Sequence, residues 1–182
     1  AIDVSLVGSE MCIRDSSIPC LMTLNAAIEL ASRRGARRLP LNEFLTGPRQ
    51  TACAPDELVT AVYVPSDAEM GVGGFEKLGA RRYLVISIAM TAARLSIADG
   101  RIGDAAISVG ACAPVAVRLT ELEAGLRGMA YDKAGDFIRD SRSGIMAALS
   151  PIDDVRGTAG YRRDAAAEIV ARLVERLCGE FE

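Results

Sequence analysis

Two kinds of spacing alternate along this chain. Between residues 86 and 111 the apolar positions recur every second residue. Ile86, Ile88, Met90 and Ala92 alternate with Ser87, Ala89 and Thr91, and after Asp99-Gly100 the pattern resumes through Ile107, Val109 and Ala111. Period-two patterning predicts strands, and Asp-Gly between two such runs suits a tight turn that needs positive φ. The stretch therefore reads as a β-hairpin led in by a strand at Phe75, with one face made of small or polar residues and half-buried against another layer.

Downstream the period lengthens. Val115, Leu119, Leu122 and Leu126 fall on one helical face behind Ala113-Pro114, with Gly128 placed to cap the end. Tyr131 to Leu149 predicts a second helical stretch, weaker around Ser141 to Gly144. The last helix runs to about Cys178, with Ile169, Val170, Leu173, Val174 and Leu177 as its buried stripe. These helices are expected to cover the sheet.

Upstream the signals are strands again. Pro19 starts a short helical turn. Ala27 to Ala31 and Arg37 to Leu41 are strands on either side of a turn at Arg33-Arg34-Gly35. Val59 to Val64 is rich in β-branched residues and closes at Pro65-Ser66. Ser66 to Gly74 is acidic and then glycine-rich, a connection between units. Its glycines lack the following Lys-Ser/Thr and the helix of a phosphate loop. Asp3 to Ser16 fits nothing after it and reads as translated sequencing-adapter sequence, so residues 1–16 are set apart as an artefact. The organisation expected is 17–65, a connection over 66–74, and a C-terminal unit over 75–179.

Composition narrows the chemistry. The 182 residues are 50% hydrophobic, enough for a core, and Trp is absent. The formal net charge is −3 with scattered basic residues, which leaves no nucleic-acid footprint, and no run approaches a membrane span. A cytoplasmic protein is expected. The five cysteines, Cys12, Cys20, Cys53, Cys112 and Cys178, have no CxxC spacing, and there is no histidine. A zinc or iron–sulfur site built by this chain alone is not expected, nor is catalysis by a Ser-His-Asp or Cys-His set.

Several motifs occur in a fixed order: P-x-L-x-x-L-x-A from Pro19 to Ala26, R-x-x-P-L-x-x-F from Arg37 to Phe44, G-x-R-x-T from Gly47 to Thr51, P-x-E-L from Pro55 to Leu58, F-x-K-x-x-x-R-R from Phe75 to Arg82, D-G-R-I from Asp99 to Ile102, G-A-x-A-P from Gly110 to Pro114, and P-x-x-D-x-R-x-T-A-x-Y-R-R from Pro151 to Arg163. This series resembles the C-terminal part of the FAD-binding subunit of molybdenum hydroxylases, the group that includes the flavin subunit of xanthine dehydrogenases and the medium subunit of carbon monoxide dehydrogenases.

The resemblance implies an α+β fold: a C-terminal remnant of an FAD-binding domain followed by a three-stranded antiparallel sheet packed against helices. It implies FAD as cofactor, with the molybdenum cofactor and [2Fe–2S] clusters on partner subunits. Electrons would pass from the clusters through FAD to NAD or another acceptor. The glycine-rich segments that cradle the FAD pyrophosphate should lie upstream in that family, and this chain has none. Two cofactor-binding residues carry over. Lys77 matches the lysine that contacts FAD, where an ammonium stabilises the anionic reduced ring, and Val59 matches a strand position that packs on the flavin. Arg81 and Arg82 are candidates for the cofactor or a neighbouring subunit, and Asp154, Arg156 and Arg163 for a structural loop. The family places an acid three residues before the proline matching Pro19; here that position is Ser16. The alternative is a non-catalytic interaction module with the same fold and no cofactor.

Overall fold

The structure, a computed structural model, describes residues 16–80 and 86–181. Arg81 and Arg82, and all of the N-terminal segment set apart above except Ser16, lie outside the described residues.

The first described element is a helix, α1, seen over residues 16–23. It is followed by β1 (Ala27–Ser32), β2 (Gly35–Pro40), a helical turn α2 (Leu41–Phe44), the small hairpin β3 (Leu45–Gly47) and β4 (Gln50–Thr51), and β5 (Leu58–Tyr63). Strands β1, β2 and β5 form an antiparallel sheet in the order β2-β1-β5. Period two along β1 sends Ile28 and Leu30 into a small core with Met22, Leu41 and Phe44.

The larger sheet begins at β6 (Val72–Gly79), inside the stretch read as a connection. Gly73 and Gly74 are strand residues, and Gly74 has a packing reason: a Cβ there would lie 2.7 Å from Leu173 Cδ1. Strands β7 (Ser87–Ala98) and β8 (Arg101–Gly110) make the expected hairpin, and Asp99 and Gly100 both have positive φ, at 52° and 73°. A fourth strand was not foreseen. Val117–Arg118, β9, pairs with Val109 and Ser108, giving a four-stranded order β6-β7-β8-β9. The helix expected from Pro114 is displaced as a result. The backbone first completes the sheet edge, Leu119 N–H donates to Ile107 O, and α3 runs only over Thr120–Leu126. Leu119, Leu122 and Leu126 still form its buried stripe, while Val115 stands outside the helix.

The stretch from Tyr131 to Leu149 is broken into a 3-10 turn (Tyr131–Lys133), α4 (Ala134–Asp140) and α5 (Arg142–Ala147), parted at Ser141 where the weakness was read. Helix α6 (Ala159–Gly179) opens on Thr158, whose hydroxyl accepts from Tyr161 N–H, and buries the expected stripe against the sheet. The architecture is α+β.

One expectation fails instructively. The small-residue face of the hairpin is not half-open, because β7 is buried on both faces from Ser87 to Leu95. Residues paired across strands share a face, so the rows Lys77–Met90–Gly110, Ala92–Ser108–Arg118 and Arg94–Ala106 lie together, opposite the face that packs on α6. Helix α1 lies on this second face, with Pro19 against Gly110 and Met22 Sδ 3.7 Å from Ser108 Oγ. Alanine, serine and glycine are there because a helix backbone approaches closely. On its other side α1 supplies Ile18, Leu21 and Met22 to the small core, so it joins the two sheets.

Candidate functional site

Lys77 stands on β6 with its side chain exposed, on the face that carries α1. Its ammonium donates to Ser16 Oγ, at the first described residue of α1, across 3.4 Å, a contact between positions 61 apart in sequence.

Val59 sits on β5, at the edge of the small sheet, opposite Leu30. It therefore faces the side that Leu30 buries, yet it is 52% exposed. Leu58 and Val62 beside it are also open. The two candidate residues lie on different sheets. What they have in common is accessibility: a cation on one surface and an apolar strand edge on the other.

Three further arginines, Arg94 and Arg162 buried and Arg118 half-buried, were given no role by sequence reasoning. Arg94 Nε donates to Thr23 O at 3.2 Å and its Nη1 to Met70 O at 3.1 Å. Its Nη2 meets Asp104 Oδ2 at 2.7 Å. Burial pushes the Asp104 carboxyl up, but the guanidiniums of Arg94 and Arg127 outweigh it and hold it below the usual carboxylate range. Arg118 makes a two-pronged pair with buried Glu123, at 2.7 and 2.9 Å, and its Nη1 reaches Met22 O at 2.6 Å and Asn25 Oδ1 at 2.9 Å. Glu123 Oε1 also accepts from Ile107 N–H at 2.8 Å, so its charge is fully met. A signal existed for both: an arginine inside an otherwise small and apolar strand, and an Arg-x4-Glu spacing between a strand edge and a helix.

The third is Arg162, with 1% of its surface exposed. It donates to Ile88 O at 3.1 Å, to Ile152 O at 2.8 Å and to Ala111 O. Its Nη1 lies 3.3 Å from Asp154, which also pairs with Arg156. The Arg156 side chain holds the Asp154 carboxyl at about 2; burial opposes it, and the Arg156 N–H and the charges of Arg156 and Arg162 add to the lowering. Asp154 and Arg156 thus form the structural loop expected, and Arg163 joins it through Leu149 O at 3.3 Å. A cleft of about 380 Å³ opens beside this loop, lined by Ile18, Gly47 to Thr51, Ala113 to Ala116 and Ser150 to Ile152. Neither Lys77 nor Val59 lines it.

Among the described residues no cluster of Cys, Asp or Glu could hold a metal ion, and no helix is long and apolar enough to cross a membrane. Lys77 offers an exposed ammonium, and β5 an exposed apolar edge at Leu58, Val59 and Val62. The described residues offer no glycine-rich turn with converging N–H groups for a pyrophosphate.

Comparisons with known proteins cover both parts of the chain. Residues 75–177 match the CO dehydrogenase flavoprotein C-terminal domain, and residues 8–67 match the FAD binding domain in molybdopterin dehydrogenase. The chain belongs to the family of FAD-binding subunits of molybdenum hydroxylases. It is 32% identical over 155 residues to the nicotine 6-hydroxylase medium subunit of Paenarthrobacter nicotinovorans, covering 85% of this chain and 53% of that one. It is 31% identical over 163 residues to the carbon monoxide dehydrogenase medium chain of Afipia carboxidovorans, covering 88% and 55%. Among solved structures, the reconstituted CO dehydrogenase from Oligotropha carboxidovorans superposes with a TM-score of 0.78 at 32% identity, covering 88% of this chain and 56% of that one. The chain spans about half the length of the curated relatives it matches. Nothing in these matches favours a cofactor-free interaction module.

Proposed function

We propose that this chain is part of the FAD-binding electron-transfer subunit of a cytoplasmic molybdenum hydroxylase. The observation that carries the reading is the succession of two family matches on one chain, an FAD-binding domain over 8–67 and a flavoprotein C-terminal domain over 75–177. Its partners are a molybdenum-cofactor subunit and an iron–sulfur subunit carrying [2Fe–2S] clusters, and the final acceptor is NAD or another oxidant.

When bound, FAD would supply the redox chemistry, taking up electrons from the clusters and passing them on. This chain's residues would hold the ring. Lys77 would place a positive charge beside it, favouring the reduced, anionic form, and Val59 would present an apolar contact. On this reading substrate oxidation belongs to the molybdenum-cofactor subunit.

The test is isolation from the native host through an affinity tag on the genomic copy. The complex should carry molybdenum, iron and flavin in fixed ratio, by metal analysis and absorbance. A tagged protein that comes down with none of the three would overturn the reading.

A further inference from the structure

Helix α1 is held by residues of the larger sheet at two points. Its first described residue, Ser16, meets Lys77 at 3.4 Å. Its last carbonyls, Met22 O and Thr23 O, accept from Arg118 at 2.6 Å and Arg94 at 3.2 Å. They lie among the last carbonyls of the helix, at the negative end of its dipole, and Met22 O also accepts from Asn25 N–H at 3.1 Å. Lys77, Arg94 and Arg118 all project from one sheet face. Lys77 belongs to the row of Met90, and Arg94 lies four residues along the same strand. Four strand residues span about 13 Å and the eight described residues of the helix about 10 Å, so Ser16 and the C-terminal carbonyls match the spacing of Lys77 and Arg94.

We propose that Arg94 and Arg118 are positioning residues for Lys77. By pinning the C-terminal end of α1 to the sheet, they fix where Ser16 meets the ammonium. Several observations separate this from ordinary packing. Each guanidinium is oriented by a carboxylate of its own sheet or the adjoining helix, Asp104 for Arg94 and Glu123 for Arg118, at 2.7 Å in both cases. Each then turns its remaining donors across to α1 or to the Met70 carbonyl. Arg118 also holds Asn25, which has a φ of 49° just beyond the helix, so the chain's exit from α1 is fixed as well. Between the clamp and Lys77 the contact surface is Gly110 against Pro19, where a Cβ would come within 2.8 Å, so the helix has little room to slide. A displacement at one end is therefore felt at the other.

The inference rests on the reading of Lys77 as the flavin-facing cation for its meaning, but its test needs no flavin, so the two can fail separately. The chain contains two lysines, Lys77 and Lys133, the latter in the turn before α4 on the far side of the larger sheet's helical layer. Reductive methylation with ¹³C-formaldehyde gives each a resolvable NMR signal and keeps the charge. In Arg94→Met and Arg118→Met the Lys77 signal should move toward its unfolded-chain position while Lys133 stays. Amide exchange over residues 16–23 should rise about tenfold or more, the equivalent of one charge-assisted hydrogen bond, with α6 unchanged. If Arg118→Met does not fold, Arg118→Lys keeps a cation beside Glu123 and should give a smaller shift in the same direction. An unmoved Lys77 signal in the folded variants, or a Lys133 signal that moves equally with it, overturns the proposal.

Discussion

Gly110 and Pro19 meet where helix α1 crosses the larger sheet, and a Cβ on Gly110 would stand 2.8 Å from Pro19 Cγ and 2.9 Å from Met90 Cγ. The proline ring cannot turn aside, so the gap between helix and strand is set by the absence of a side chain. Gly110→Ala should destabilise the chain by about 1–3 kcal/mol, the cost of overpacking a closed contact. Gly144→Ala is the control. It lies in α5 with nothing within 4 Å of its added Cβ, so it should stabilise by about 0.5–1 kcal/mol. Urea unfolding of the two variants measures both.

Arg162 predicts a larger effect. Its guanidinium satisfies three carbonyls from three segments, at Ile88, Ala111 and Ile152. Arg162→Met fills much of the volume but strands those acceptors, each at a cost of about 1–3 kcal/mol when buried. The variant should lose at least about 3 kcal/mol in chemical denaturation. A loss within experimental error would mean that water replaces the arginine.

Acid should weaken the fold through Asp154. Arg156 holds the folded carboxyl at about 2 against an ordinary value of 3.8. A depressed carboxyl contributes stability that is complete above its unfolded value and is lost as pH falls toward the folded one. The stability advantage of the natural chain over Asp154→Asn should therefore be constant near neutrality and shrink as pH falls from about 4 to about 2. Glu57, held at about 2 chiefly by Arg37 and then by the Ala54 N–H, should act in the same window. Thermal melts of both proteins across that range check the sign.

Purified alone, the chain should be colourless. Lys77 and the Val59 edge are exposed and lie on separate sheets, so what the described residues offer is one end of a flavin site. Added FAD should bind weakly, and its fluorescence should be little quenched. A yellow preparation with one flavin per chain would contradict this.

Much of the fold was legible because its signals are local. Asp99-Gly100 fixed the hairpin, and the spacing of Ile169 to Leu177 fixed the last helix. Val117-Arg118 was not legible as a strand: two residues have no periodicity, and what pairs them is the neighbouring edge at Ser108 and Val109. The small face of β7 was read as half-exposed because alanines and serines look the same whether they face water or a close helix. Motif order pointed to Lys77, but its contact with Ser16 depends on where α1 packs. Arg94 and Arg118 went unread for the same reason, since their carbonyl partners lie 71 and 96 positions away.

The measurement that tests the account most directly is a potentiometric titration of the flavin in the assembled enzyme, natural against Lys77→Met. If the Lys77 ammonium stabilises the reduced ring, the midpoint potential should fall in the variant, and flavin occupancy should fall with it. Unchanged potential and unchanged occupancy would contradict the role given to Lys77, and would leave the chain as a family member whose share of the flavin site lies elsewhere.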